Sequence, residues 1–286
     1  MTTLLTVMAH PDDETFGPGG TLAKYAAQDV VVHLVCATRG EVGSSDLEDL
    51  GDCEDLACQR EKELRCAVKA LGISELHLLD YRDSGMAGTP ANQHPDALIQ
   101  ADLQQLAEQI AQFIRQLRPE ILVTFDPYGA YGHPDHIAMH RATMAAVKSL
   151  PASEQPAKVY FHTIPYTALR WRVRLLPLFG VDPEAVGKNK DINLRDILRH
   201  EISISTKIDI SSTFDVKERA AQCHSSQLSG PGSAWGRLPK WLVKHLESTE
   251  TFHRARPAFD TGDRQEDDLL AGLPGTGDAA ASFRKP

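Results

Sequence analysis

Leu4-Leu5-Thr6-Val7-Met8-Ala9-His10-Pro11-Asp12-Asp13-Glu14-Thr15-Phe16-Gly17 is the stretch on which the reading of this chain turns. A short apolar run, Leu4 to Val7, passes directly into a loop holding a histidine and three acids. Gly19-Gly20-Thr21 then leads into a helical stretch, Leu22 to Gln28. Short runs of this kind read as buried parallel strands. In an open α/β sheet, loops at the carboxyl ends of strands line the ligand crevice. The pattern recurs where Ile121–Phe125 runs into Gly132-His133-Pro134-Asp135-His136. Two such loops can offer imidazole and carboxylate ligands to a divalent metal and leave a carboxylate to activate water. The pairing implies a metal-dependent hydrolase, with zinc the expected ion.

Working outward, Val30–Ala37 is a second strand, and Asp52 to Leu71 reads as an amphipathic helix with Leu56, Leu64, Ala67 and Leu71 on one face. His77–Leu79 is a third strand, ending in Asp80-Tyr81-Arg82-Asp83-Ser84-Gly85-Met86. A helix is expected from Ala97 to Leu117, stopped by Pro119, and Val159–Ile164 is a further strand. Strands alternating with helices imply right-handed crossovers and a mostly parallel sheet. The fold class is therefore α/β, a Rossmann-like three-layer α/β/α unit. Tyr166 to His200 reads as an insertion, holding Trp171, Arg170, Arg172 and Arg174. Ile202–Ile210 (strand), Phe214 to Ser225 (helix), a Gly/Pro loop at Gly230–Gly236 and a helix Pro239–Leu246 make a smaller C-terminal α+β part. Residues 1–257 are expected to form a single domain, with the insertion at about 166–200 and a mobile polar tail at 258–286.

Composition narrows the function classes. A net charge of -9 without a long basic run argues against nucleic acid as a partner. No apolar run approaches membrane-spanning length, and no cationic leader precedes one. Five cysteines, an odd number with no C-x-x-C pair, argue against a disulfide framework, so reduced thiols in a cytoplasmic protein are expected. Gly17-Pro18-Gly19-Gly20 lacks the ending of a P-loop, and no G-x-G-x-x-G follows a strand, so no nucleotide cofactor is expected.

His10 and Asp13 are close enough to bind one metal, and His136 would complete the set from the other loop. Two histidines and a carboxylate leave a position open for water, as catalytic zinc requires. Capping of two helix N-termini accounts for the Pro and Asp residues but not for the histidines. His140, four residues past His136, offers a second helical ligand pair. Asp12 is placed to take a proton from metal-bound water. His133, when protonated, could stabilise an oxyanion and protonate a leaving amine, with Asp135 orienting it and the Tyr131 hydroxyl donating to the same oxyanion. Arg60 sits within an apolar stripe, where a charge needs a polar cavity or a partner such as Asp83 or Glu41. His33, His77 and His162 lie in strand patterns and read as core or surface histidines.

These residues resemble the LmbE-like (PIG-L) de-N-acetylases. The resemblance rests on Ala9-His10-Pro11-Asp12-Asp13-Glu14 and Gly132-His133-Pro134-Asp135-His136. Thr38-Arg39-Gly40-Glu41, Arg60 with Glu63, Arg82-Asp83-Ser84-Gly85-Met86 and His224-Ser225-Ser226-Gln227 agree with it. It covers roughly Leu4 to Pro257 and weakens between Tyr166 and His200. It implies a Rossmann-like zinc hydrolase (ferrous iron is the other metal to consider) that removes acetyl from an N-acetylglucosamine conjugate and releases acetate and a free amine. By the resemblance, His10, Asp13 and His136 are metal ligands, Asp12 the general base, and His133 the acid and oxyanion partner modulated by Asp135. Arg60, Asp83 and Glu41 become sugar-binding positions. The expected partner is a small amino-sugar conjugate, and a homo-oligomer stays open. Two alternatives remain: an amidase acting on a thiol S-conjugate of a glucosaminyl-inositol compound, and a non-catalytic sugar-binding homologue, against which the intact Asp12 and His133 speak.

Overall fold

A computed structural model describes residues 1–43, 45, 50–187, 189–227, 240–260 and 262–273. In chain order its elements are β1 (Thr3–Met8), α1 (Asp13–Phe16), α2 (Gly19–Ala26), β2 (Val31–Thr38), α3 (Leu56–Leu71), β3 (Glu75–Tyr81), α4 (Leu103–Leu117), β4 (Ile121–Phe125), α5 (Gly129–Gly132), α6 (Pro134–Ser149), β5 (Lys158–Thr163), α7 (Tyr166–Leu175), α8 (Leu194–Arg199), β6 (Thr206–Asp209), α9 (Phe214–Cys223), α10 (Lys240–Glu247) and β7 (Thr249–Arg256). The strands form one seven-stranded sheet in the order β3-β2-β1-β4-β5-β7-β6. Strands β1 to β5 are parallel, and β7 and β6 extend the sheet antiparallel. The expected Rossmann-like class holds. The C-terminal strands join the same sheet, because Phe252 of β7 is fully buried against Tyr160 of β5.

Strand order reverses between β1 and β4. That is the switch point where open α/β sheets place their ligands. Residues on both faces of β1 and β4 are buried, so the two strands are fixed by the core and present their following loops side by side. Helix α4 buries Leu106, Ile110 and Ile114. It begins at Leu103 rather than at Ala97 because the Asp102 carboxylate accepts from the amides of Gln104 and Gln105. A cap of this kind is worth about 1 kcal/mol.

Two expectations are corrected. The thiols are not all reduced: Cys66 of α3 pairs with Cys223 of α9, and Cys53 pairs with Cys58, leaving only Cys36 free. Packing of α3 on α9 brings together residues 157 apart, a proximity that counting cysteines cannot reveal. The segment after Pro257 does not all behave as a mobile tail. Leu269 is fully buried, Asp268 accepts from the Tyr25 hydroxyl at 2.6 Å, and Glu266 pairs with Lys158 at 2.9 Å. Polar composition hid this because the anchoring contacts are themselves ionic. The Gly230–Gly236 loop, Pro239 and residues 274–286 lie outside the described residues. Among those described, no helix is long and apolar enough to cross a membrane.

Glu250 of β7 ties the C-terminal part to α2. It accepts from the amides of Gly20 and Thr21 at 2.9 and 2.8 Å and from Lys217 Nζ at 2.6 Å. Burial alone would raise its pKa, but the Lys217 charge and these hydrogen bonds hold it below the ordinary carboxylate value. A depressed folded-state pKa contributes stability above the unfolded value (about 4.3) that is lost as pH falls through the folded one. Glu250→Gln is therefore expected to lower the urea midpoint at pH 7 and to flatten the loss of stability on acidification. Equal losses in both proteins between neutral and acid pH would contradict this role.

Candidate active site

The loop after β1 is held in an uncommon conformation. Asp12 has φ 107°, a region that costs a non-glycine residue about 1–3 kcal/mol unless its surroundings enforce it. Here they do. The Asp12 amide donates to Glu14 Oε2 at 2.9 Å, and the Asp12 carbonyl accepts from the amides of Thr15 and Phe16. Glu14 is fully buried and bonds His224 Nε2 at 2.8 Å, across 210 residues. Burial would lower the His224 pKa, but Glu14 raises it above the ordinary value, which favours an ion pair beneath the loop. Glu63 accepts from the hydroxyls of Ser225 and Ser226 at 2.9 and 2.6 Å, binding α3 to the same segment. Glu14, Glu63 and His224 were legible only as landmarks. Their pairing depends on α9 lying against α3.

The imidazoles and carboxylates expected to form the site come together. His10 Nδ1 is 3.2 Å from His136 Nε2 and 3.5 Å from Asp13 Oδ2, and His136 Nε2 is 3.3 Å from Asp13 Oδ1. Ligands about 2.0–2.1 Å from a tetrahedral zinc stand about 3.3 Å apart, so the spacings of the two imidazoles and the Asp13 carboxylate match those of one coordination shell. The remaining ring nitrogens are engaged in the manner of metal-binding histidines. His136 Nδ1 meets the Gly129 carbonyl at 3.2 Å, and His10 Nε2 meets Asp135 Oδ2 at 3.1 Å and Asp83 Oδ1 at 3.5 Å. Three buried or nearly buried carboxylates, Asp13, Asp83 and Asp135, thus crowd one imidazole, and Asp135 Oδ1 has no hydrogen-bond partner among the described residues. Such a donor set suits a divalent cation, whose charge offsets the crowding. His140 does not join it: its Nδ1 bonds the Phe125 carbonyl at 2.9 Å and its ring packs edge-on against Phe161.

Two catalytic expectations change in detail. The Asp135 carboxylate faces His10 and the Ser84 amide (2.9 Å), not His133. His133 is the N-cap of α6, its Nδ1 accepting from the Asp135 amide at 3.2 Å. Burial, with His10 and His136 beside it, pushes the His133 pKa down to about 2. With Nδ1 accepting from the Asp135 amide, Nε2 is the ring nitrogen left to donate into the cavity. Tyr131 packs edge-on against His133 and His136, and burial drives its pKa well up, so its hydroxyl stays protonated.

Asp12 is one-fifth exposed and 3.1 Å from Arg60 Nη2. Burial raises its pKa to about 6 against the pull of Arg60. Arg60 also donates to the carbonyls of Pro11 (2.5 Å) and Gly40 (3.0 Å). Its partner is thus Asp12, not Asp83 or Glu41, and it positions the loop as well as lining the pocket. Gly40 has φ 67°, and a Cβ there would overlap the guanidinium, which explains a glycine at this point of the Thr38–Glu41 motif. Glu41 accepts from the Asp83 amide at 2.9 Å and so shapes the loop after β3.

These groups open into a cavity of about 390 Å³, within the usual range for small-molecule sites. His10, Asp12, Arg60, Asp83, Tyr131 and His133 line its floor, while Asn189, Asp191 and Ile192 of the insertion line it from a segment far along the chain. The insertion was legible as an interruption, but not as a pocket wall.

A Rossmann-like sheet with a clustered His and Asp group at its switch point defines a metal-dependent hydrolase. Residues 5–147 match the PIG-L family, described as GlcNAc-PI de-N-acetylase, and the chain belongs to that family. It is 37% identical over 280 residues to a 1D-myo-inositol 2-acetamido-2-deoxy-alpha-D-glucopyranoside deacetylase of Acidothermus cellulolyticus, covering 94% of each chain. Two solved structures share the fold. One is the N,N'-diacetylchitobiose deacetylase of Pyrococcus horikoshii (TM-score 0.54, 22% identity, 88% of this chain and 83% of that one). The other is the 4-carboxy-2-hydroxymuconate hydratase of Pseudomonas putida (TM-score 0.56, 22% identity, 91% and 98%). The hydratase shows that this fold alone does not fix the chemistry.

Proposed function

We propose that the chain hydrolyses the acetamide of an N-acetylglucosamine joined to myo-inositol, releasing acetate and the glucosaminyl amine. The observation that carries this reading is that Asp12 lines one cavity of sugar-binding size together with His10, which stands within 3.5 Å of both Asp13 and His136. A divalent metal, zinc for this donor set, held by His10, Asp13 and His136 supplies Lewis-acid polarisation of the carbonyl and a water of lowered pKa. Asp12, ionised above about pH 6, takes the water's proton as oxygen attacks the acetyl carbon. The Nε2–H of His133 and the Tyr131 hydroxyl donate to the oxyanion. Asp12 then returns its proton to nitrogen as the C–N bond breaks. His133 keeps its Nδ1 on the helix cap throughout, which is why the proton is assigned to Asp12.

For the aglycone, the far rim offers the Asn189 amide and the Asp191 carboxylate. Both suit hydroxyl groups, and Asp191 together with Asp83 disfavours an anionic aglycone such as malate. The 37% identity to the inositol glycoside deacetylase points the same way. The two disulfides weigh against the expected cytoplasmic location, because such bonds persist in oxidising rather than reducing compartments. The test of the aglycone compares kcat/KM for the inositol glycoside with the malate glycoside, diacetylchitobiose and free N-acetylglucosamine. The inositol glycoside should lead, and a lead by the malate glycoside would overturn the assignment. Turnover of a thiol S-conjugate above all four would instead favour the larger-acyl amidase. Asp191→Ala is expected to raise KM for the inositol glycoside about tenfold, the loss of about 1.4 kcal/mol from a hydrogen bond to a charged group. It should leave free N-acetylglucosamine unchanged. Equal changes for both substrates would show that Asp191 does not meet the aglycone.

A further inference from the structure

His33, Glu75 and His77 form a second group of metal-ligating type, outside the active site. Strands β2 and β3 pair in parallel with His33 opposite Glu75 and Val35 opposite His77, so the three side chains share one face at the edge of the sheet. They lie toward the amino ends of the strands, whereas the catalytic loops leave the carboxyl ends. His33 Nδ1 is 3.4 Å from His77 Nε2 and 3.6 Å from Glu75 Oε2, and His77 Nε2 is 3.8 Å from the same oxygen. These spacings are slightly wider than the tetrahedral edge of about 3.3 Å expected for zinc ligands. They closely repeat the catalytic triangle of 3.2, 3.3 and 3.5 Å.

The surroundings favour binding. The two imidazole side chains are only 10% and 15% exposed, while Glu75 at 59% stands at the mouth. The rings stack at 5.7 Å, and Phe113 of α4 backs His77 at 4.8 Å, so neither ring can turn without disturbing the packing. The facing ring nitrogens of His33 and His77, 3.4 Å apart, could both turn a lone pair to one cation.

We propose that His33, His77 and Glu75 form a second, structural site for a borderline divalent metal such as zinc, clamping edge strand β3 to β2. Two imidazoles and one carboxylate select zinc, cobalt or nickel over magnesium or calcium. The clamp steadies the strand that leads into Asp83, which contacts the catalytic His10. It is independent of the reaction assigned above.

The test is equilibrium dialysis of the metal-stripped full chain against zinc, with thermal melting alongside. Wild type should take up a second equivalent, weaker than the first because Glu75 is exposed, and its melting temperature should rise as that equivalent binds. Glu75→Gln and His77→Gln should each lose the second equivalent and its thermal shift but keep the first. Glu75 is exposed enough that its replacement leaves the sheet intact, so the test survives if His77→Gln fails to fold. Uptake of a single equivalent by wild type, or a second equivalent that persists in Glu75→Gln, would overturn the proposal.

Discussion

Asp12→Asn is expected to lower kcat by about 10²–10⁴-fold, the usual worth of a positioned general base, while zinc content stays at the wild-type level. The carboxylate is adjacent in sequence to Asp13 but is held apart from it, paired to Arg60 at 3.1 Å in a backbone conformation enforced by Glu14 and His224. Asparagine preserves size and keeps a hydrogen-bond acceptor for Arg60 but cannot take a proton. Burial places the Asp12 pKa at about 6, so wild-type kcat should fall as pH drops through about 6 or lower, since a bound cation adds to the pull of Arg60. In Asp12→Asn that acid limb should vanish along with the rate. Near-normal turnover in the variant would remove Asp12 as the base and leave its strained loop without a catalytic reason.

His136→Ala is expected to lose metal and, with it, turnover. The Nδ1 contact of His136 with the Gly129 carbonyl presents Nε2 toward Asp13 and His10. Gly129 has φ 69°, and a Cβ there would crowd His136 Cβ at 2.8 Å, so the turn after β4 is shaped around this ring. Removing an outer partner of a metal ligand typically costs about 10–100-fold in metal affinity, and removing the ligand itself should cost more. His140 does not stand in for it, because its ring packs edge-on against Phe161, away from the group formed by His10 and Asp13. Elemental analysis after dialysis should find the catalytic equivalent missing from a folded protein. Full occupancy of that site would show that another donor, such as His133 or Asp83, holds the ion.

Much of the molecule is legible in the sequence for a local reason. Strands β1, β2, β4 and β5 are short and buried, and the apolar runs Leu4–Val7, Val30–Ala37, Ile121–Phe125 and Val159–Ile164 fall on them within a residue or two. The convergence of His10, Asp13 and His136 follows from two strands being neighbours at the switch point, which the alternating pattern already implies. What stayed hidden depends on contacts between distant segments. The Asp135 carboxylate passes over its neighbour His133 to reach His10, 125 residues away. Arg60 finds Asp12 rather than Asp83 because the Pro11 carbonyl lies beside its guanidinium. The Cys66–Cys223 pair, the Glu14–His224 ion pair and the anchoring of Leu269 likewise need the helices and strands already in place. Strand β7 was missed because Thr249–Arg256 mixes Glu250, His253 and two arginines into its pattern, charges that pair only in the assembled sheet.

The most direct test of the central claim is release of acetate and free amine from the N-acetylglucosaminyl-inositol glycoside by metal-stripped protein before and after one equivalent of zinc. The expected result is no release without metal and equimolar acetate and amine once the first equivalent is bound. Metal-independent release, or a zinc-loaded protein that liberates neither product, would contradict metal-dependent deacetylation at the His10–Asp13–His136 site.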